Sequence, residues 1–505
     1  MKFHKSCLLL VLALFLPVGV PRSAASAETA KTGQIAEKKP SQSKEDYYDL
    51  YKVLADTVDQ VDRNYVKEVD RRELIEAAIR GVMNKLDPYS AYIGPEELSQ
   101  FRTSVDNEFG GIGIHVSIDD GDLKVLSPIY GTPAYRAGIQ AGDRIVEIEG
   151  KSTEGIQPDD AIRWMKGAEG TKVSICVVHA GTSKREKFTL TRERIHVETV
   201  LGDRRRPDDH WEFMYDETSR IGCIRISAFS QETAKELRAA LDDLKRRKAR
   251  GLVLDLRFNP GGLLRSAIEV SNRFISSGRI VSTKGRNTPE RVWDAHDSAV
   301  FEGVPMVILV NHYTASAAEI VSACLQDHKR AVIMGERTWG KGSVQNIIEL
   351  ENGRSALKLT TAAYKRPSGK NIHRFPDSKD KDEWGVMPDL GYELGLNERE
   401  THDLLVDRRN RDIIVAHAGG EKSATAPGPR ADKPSVAPSE SPASLGPALK
   451  NEPLARRSGL MKPDMGKRAL PSASKPAADK RPFVDRQLEM AVKYLRDELA
   501  KNDKK

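Results

Sequence analysis

At 505 residues with 39% apolar side chains, the chain has room for two to four domains and a sizeable buried core. Its 80 Lys+Arg against 73 Asp+Glu give a net charge of +7, and residues 418 to 505 alone hold 18 basic and 11 acidic side chains, also a net of +7. The basic excess therefore sits in the tail and says little about the core; a basic tail suits contact with nucleic acid or an anionic membrane or wall polymer, but a solvated linker is the commoner reading, and no nucleic-acid partner is expected.

The chain begins as exported chains do. Lys2 and Lys5 precede an apolar run from Leu8 to Leu16, and Ala25-Ser26-Ala27 offers a cleavage site, so residues 1–27 read as a signal peptide. About nine apolar residues are too few to cross a bilayer, and no longer run follows, so no integral membrane segment is expected in the mature chain. The expected compartment is periplasmic or otherwise extracytoplasmic. Cys7 leaves with the leader, and the odd set Cys176, Cys223 and Cys324 builds no disulfide framework. No His/Cys cluster has ligand spacing and H-E-x-x-H is absent, so no metal and no cofactor are expected.

Residues 28–105 read as a linker and a helical arm. Leu50, Leu54, Val58, Val61 and Tyr65 recur at helical spacing, Leu74, Ala78 and Val82 repeat it, and Asp87-Pro88 ends the second helix. Residues 106–195 read as a small β-rich domain. Strands are expected at Gly113–Ser117, Leu123–Leu126, Asp143–Ile148 and Lys172–Val178, with a helical turn at Ala134–Ala137 and a helix at Pro158–Lys166. Residues 196–417 read as an α/β core: a strand at Ile221–Ser227, a helix marked by Leu237, Leu241 and Leu244 and closed by Gly251, then alternating strands and helices that imply βαβ units and a mainly parallel sheet. Asn352-Gly353 signals a hairpin between Val344–Leu350 and Ala356–Thr361. Residues 418–481, rich in Pro, Ala, Ser and Lys, read as a disordered basic linker, and 482–505 as a helix whose Leu488, Val492 and Leu495 share one face.

Three strand ends carry the chemistry. The apolar run Met306–Val310 leads to Asn311-His312-Tyr313-Thr314-Ala315-Ser316 and then a helix, which puts Ser316 on a strand-to-helix turn. A second run, Ala331–Met334, leads to Gly340-Lys341-Gly342, with Gln345 beyond it. A third, Leu252–Leu256, leads to Asn259-Pro260-Gly261-Gly262, whose glycines offer unobstructed N–H groups at a helix start. A hydroxyl, an amine and backbone donors at the ends of neighbouring strands are the parts of an acyl-transfer site. Simpler readings compete: Ser316 with Glu319 is a capping box, and Lys341 between glycines is a solvated loop lysine. Gly335 to Lys341 also fits the first seven positions of a P-loop, but Gly342 stands where Ser or Thr must hold Mg²⁺. A serine hydrolase using His312 or His296 lacks the G-x-S-x-G elbow. A scaffold that only binds peptides would have no use for the serine, lysine and glutamine together.

In order along the chain, Leu86-Asp87-Pro88-Tyr89-Ser90, Gly110-Gly111-Ile112-Gly113, Asn259-Pro260-Gly261-Gly262, Thr314-Ala315-Ser316-Ala317-Ala318-Glu319, Gly340-Lys341-Gly342 with Gln345, and Gly385-Val386-Met387-Pro388-Asp389 resemble the C-terminal processing peptidases. These are Ser-Lys endopeptidases with a PDZ domain, and the resemblance spans roughly residues 45 to 395. It implies a ClpP/crotonase-like protease core after a PDZ domain, with Ser316 as nucleophile, Lys341 as general base and Gln345 orienting it. The oxyanion would lie between the N–H of Ala317 and that of Gly261 or Gly262. Substrate C-termini would add as a strand along Gly111, Ile112, Gly113 and Ile114, facing Ile162 and Met165. Lys166-Gly167 departs from the arginine that the family often has there. A homodimer through the N- and C-terminal helices is a further expectation.

Overall fold

The computed structural model describes residues 44–98, 101, 108–296, 299–414 and 483–503. The expected signal peptide and the basic 418–481 stretch lie outside the described residues. The chain forms two compact units, residues 1–71 and 72–505. In the first, Lys44–Asn64 is a single helix, and Tyr48, Tyr51 and Val53 on it are exposed.

The second unit takes in the helix that ends at Leu86 and the turn that follows it. Asp87 Oδ1 accepts the N–H groups of Tyr89 (2.7 Å) and Ser90 (2.8 Å), an Asx-type turn that delivers the chain to the strand Ala91–Ile93.

The β-rich domain is an antiparallel sheet in which Ile114–Asp119 is an edge strand paired only with Asp122–Pro128. The helix Pro158–Met165 lies beside that edge. Its last carbonyls are satisfied by Arg192, which donates to Trp164 O and Met165 O, both at 2.9 Å. Alternate residues of the strands, Leu123 and Val125, Ile145, Val173, Ile175 and Val177, form the core of this domain.

In the α/β core, Ile221–Ile226, Gly251–Asp255, Met306–Val310 and Val332–Gly335 are adjacent parallel strands in that order. The helices Thr233–Arg246, Leu264–Asn272 and Ala317–Asp327 connect them. Period-two alternation sorts the side chains. Ile224, Leu254, Ile308 and Ile333 pack under these three helices, while Cys223, Val253, Val307, Leu309 and Met334 point the other way. A parallel sheet is apolar on both faces and must be covered twice. The second cover is the C-terminal helix Arg486–Asn502, whose Leu488, Ala491, Val492, Leu495 and Leu499 are buried against that face. The apolar stripe expected to serve a homodimer is thus spent within its own chain, and the dimer is not supported.

Other expectations shift in detail. The first core helix ends at its cap Arg247, and Gly251 opens the next strand instead of closing the helix. The hairpin turns through Glu351–Gly353, and its second strand runs on to Lys365. The helix Glu398–Asp412 was not foreseen in the sequence.

Candidate active site

Because the sheet is parallel, Asp255, Val310 and Gly335 release their loops at one edge of it, which brings three distant sequences together. Each loop is fixed by buried polar groups. Asn311 Oδ1 accepts Phe258 N–H (2.9 Å), Thr314 Oγ donates to Leu256 O (2.8 Å), and Ala315 N–H donates to Asn259 O (2.9 Å), so the serine and glycine turns are stitched to each other.

Ser316 begins the helix Ala317–Asp327 with φ 56° and ψ −115°, a backbone that side-chain-bearing residues rarely adopt. A regular N-cap sits in the extended region. The capping box with Glu319 is present, so the simple reading of this pair describes real geometry. It is incomplete, since the Glu319 carboxylate accepts Ser316 N–H (2.8 Å), Gly340 N–H (2.7 Å), Lys341 N–H (2.8 Å) and the Thr338 hydroxyl. One fully buried carboxylate therefore joins the serine turn to the lysine loop. Burial pushes its proton affinity up, against the pull of those donors.

Lys341 is 2% exposed. Its ammonium is pushed down to about 7, first by burial and next by the Lys358 charge, with the Glu319 and Asp87 charges opposing. Nζ stands 5.2 Å from the centre of the Tyr89 ring. Gly342 has to be glycine, since a Cβ there would lie 2.4 Å from His373 N. Lys341 leads into the strand Ser343–Leu350 and not into a helix, which removes the P-loop reading. Gln345, fully buried, donates to Ser343 Oγ (2.9 Å) and Thr360 Oγ (3.2 Å), and its Oε1 has no partner. The expected contact with Lys341 is not among its bonds.

Gly261 has φ 99°, and a Cβ on it would lie 2.7 Å from Ser316 Cβ and 2.9 Å from Ala317 N, so only glycine allows this approach. Its N–H, however, is given to Asn259 Oδ1 at 2.8 Å, which corrects the expectation that either glycine can supply the donor. Among the described residues, the N–H groups of Gly262 and Ala317 have no acceptor. His312 pairs with Glu336 (2.6 Å) and is 52% exposed, while His296 N–H donates to Asn272 Oδ1.

In the β-rich domain, Ile114 opens the edge strand and Ile162 is half-buried on the neighbouring helix. Gly113 O accepts Ile129 N–H, and Ile112 is buried in the core. Two expectations are corrected. Gly111 ends a strand paired with Glu193–His196, and Met165 is packed into the core of the domain. Lys166 places its amine 4.4 Å over the Phe109 ring. The roles of Glu319, Tyr89 and Asp87 were missed, although Glu319 and the Asp87-Pro88-Tyr89-Ser90 turn stand out in the sequence. Among the described residues no group of three His, Cys, Asp or Glu could hold a metal, and no helix is long and apolar enough to cross a membrane.

Residues 220–390 match the model of Peptidase family S41, residues 124–178 that of the PDZ domain, and residues 18–97 that of the activating protease CtpB N-terminal domain. A PDZ domain joined to this α/β core defines a serine-type peptidase. The carboxy-terminal-processing protease of Bartonella bacilliformis is 38% identical over 382 residues, covering 72% of this chain and 82% of the relative. The carboxy-terminal processing protease CtpA of Bacillus subtilis is 37% identical over 338 residues, covering 66% and 67%. The chain belongs to this family, the carboxy-terminal processing proteases of peptidase family S41. Among solved structures, the photosystem II D1 C-terminal processing protease matches at 27% identity with a TM-score of 0.39, covering 68% of this chain and 92% of that one.

Proposed function

We propose that the chain is an exported endopeptidase that captures substrate C-termini on its PDZ domain and cleaves by a Ser316–Lys341 acyl-enzyme mechanism. Residues 1–27 serve as the signal peptide, 106–195 as the PDZ domain, 196–417 as the protease core and 482–505 as the core's C-terminal helix. The observation that carries the mechanism is the buried Lys341 amine, lowered to about 7, on a loop held by the same carboxylate that holds the Ser316 backbone. An ordinary lysine, near 10.4, is protonated at neutral pH and takes up no proton.

With the amine neutral, Lys341 takes the Ser316 hydroxyl proton as Oγ bonds to the scissile carbonyl carbon. The N–H groups of Ala317 and Gly262 receive the negative charge that develops on the carbonyl oxygen. The Lys341 ammonium then returns its proton to the departing amine, leaving a Ser316 acyl ester. Water, deprotonated by the same amine, breaks that ester and regenerates the serine. The edge strand Ile114–Asp119 and the helix Pro158–Met165 form the two sides of a groove suited to an added peptide strand.

The test is turnover of an unfolded protein substrate by wild type, Ser316→Ala and Lys341→Ala, with folding checked by circular dichroism. Both variants are expected to be folded and inactive. Near-wild-type cleavage by either one would overturn the mechanism.

A further inference from the structure

We propose that Tyr89, carried on the Asp87–Ser90 turn, is a positioning residue that closes the Lys341 pocket against water and so sets the pH range in which Lys341 accepts the serine proton. The proposal rests on the reading of Lys341 as the base.

The turn precedes the whole PDZ domain in sequence, yet it is built into the protease core. Ala91 and Ile93 pair with Lys358 and Ala356 on the long strand Ser355–Lys365. Thr360 of that strand donates its N–H to Ser90 Oγ (3.1 Å) and its hydroxyl to Asp87 Oδ1 (3.2 Å), and Ser90 Oγ donates to Asp87 Oδ2 (2.7 Å). Gln345 reaches the same Thr360 hydroxyl. The Tyr89 ring is then held from two more sides. Trp339, two residues before the lysine, donates from Nε1 to the Tyr89 hydroxyl at 3.3 Å, and His373 meets the ring edge-on at 6.4 Å. The ring face that remains lies over the Lys341 amine.

Two effects of that ring oppose each other. A ring face attracts an ammonium, which raises the pH at which the lysine gives up its proton by at most about one and a half pH units. Exclusion of water favours the neutral amine, and burial is the largest influence on Lys341, which is held at about 7, far below an ordinary lysine. The ring supplies one wall of that exclusion; if the wall outweighs the attraction, removing the ring moves the lysine back up. The charged and titratable groups that face the amine are Asp87 on the same turn, Glu319 on the serine helix, Lys358 on the long strand and His373 on the loop above. None of them moves when Tyr89 is replaced by phenylalanine, which keeps the ring.

The experiment is the pH dependence of kcat/KM on a short chromogenic peptide for the full chain as wild type, Tyr89→Phe and Tyr89→Ala. A base that must be neutral gives an acid limb at its own pKa. Wild type and Tyr89→Phe are expected to share a limb near 7. In Tyr89→Ala the limb is expected to move up by about one unit, which lowers kcat/KM at pH 7 by roughly tenfold while activity at high pH is kept. If the alanine variant does not fold, Tyr89→Leu takes its place, with a limb between those of phenylalanine and wild-type-like exclusion on one side and free solvent on the other. A folded alanine or leucine variant with an unmoved limb overturns the proposal, as does a phenylalanine variant that shifts as far as alanine. Lys341→Ala separates the two readings: activity retained there sinks the base assignment itself, whereas inactivity there with an unmoved Tyr89→Ala limb sinks only the role of Tyr89.

Discussion

Burying the Lys341 amine costs the native state free energy, because an ammonium loses its water there and gains no carboxylate partner at close range. The unfolded chain keeps its proton up to about 10.5, whereas the folded one sheds it near 7. Between these values the unfolded state binds more protons, so stability rises with pH across that window, and below pH 7 the full cost stands. Lys341→Met is therefore expected to raise the melting temperature by several degrees at pH 6 and by much less at pH 10, while abolishing turnover. Thermal unfolding at the two pH values checks this, and an equal gain at both would contradict it. The serine and the lysine were legible as residue types at strand ends. The Glu319 bonds to Thr338, Gly340 and Lys341 were not, because those residues lie 19, 21 and 22 positions away and no spacing encodes such a contact. The Asn259 side chain on Gly261 N–H, which decides which glycine is free, is by contrast a contact two residues long, an Asx-type turn that the Asn-Pro-Gly-Gly run itself could have signalled.

The C-terminal helix shows what periodicity does and does not reveal. Leu488, Val492 and Leu495 repeat as an apolar stripe, so the helix was legible and its docking site was not. Glu398–Asp412 has no such stripe. Its inner side is made by Leu404 together with arginines: Arg408 pairs with Asp255 and Arg411 with Asp203. A helix held by ion pairs leaves no apolar pattern to read. The helix Arg486–Asn502 starts in the same network, where Asp485 takes two bonds from Arg257 (2.9 and 2.7 Å) and Gln487 takes a third (2.9 Å). Arg257 is 1% exposed and stands two residues before Asn259. Asp485→Ala leaves this guanidinium with Asp255 (2.7 Å) and Gln487 alone, and the weakened buried network costs at most about 3–5 kcal/mol. Urea unfolding is expected to show that loss as a lower midpoint. The same variant should lose kcat with KM little changed, because the disturbed segment feeds the glycine turn and not the peptide groove. A wild-type midpoint would refute the prediction.

At the scale of the whole molecule, the proposed function routes substrate from the PDZ groove to the protease core. Ser316 and Lys341 are both nearly inaccessible, 3% and 2% exposed, so a substrate must gain entry before chemistry begins. If a bound C-terminus favours an arrangement in which entry is easier, a short free peptide will speed cleavage of a second, PDZ-independent substrate. A ligand shifts such an equilibrium only by its differential affinity. Acceleration that saturates with peptide, and disappears when the peptide carboxylate is amidated, is the expected outcome of a titration. Inhibition or no change would mean that the groove only tethers its substrate. The placement of the C-terminal helix has a consequence in time. Every strand of the parallel sheet is made before Arg486–Asn502, so a growing chain carries Val253, Val307, Leu309 and Met334 bare until the helix that covers them has been synthesised. The helix also brings Asp485 to Arg257, next to the glycine turn. A chain interrupted before this helix would leave that apolar face uncovered, a surface prone to aggregation.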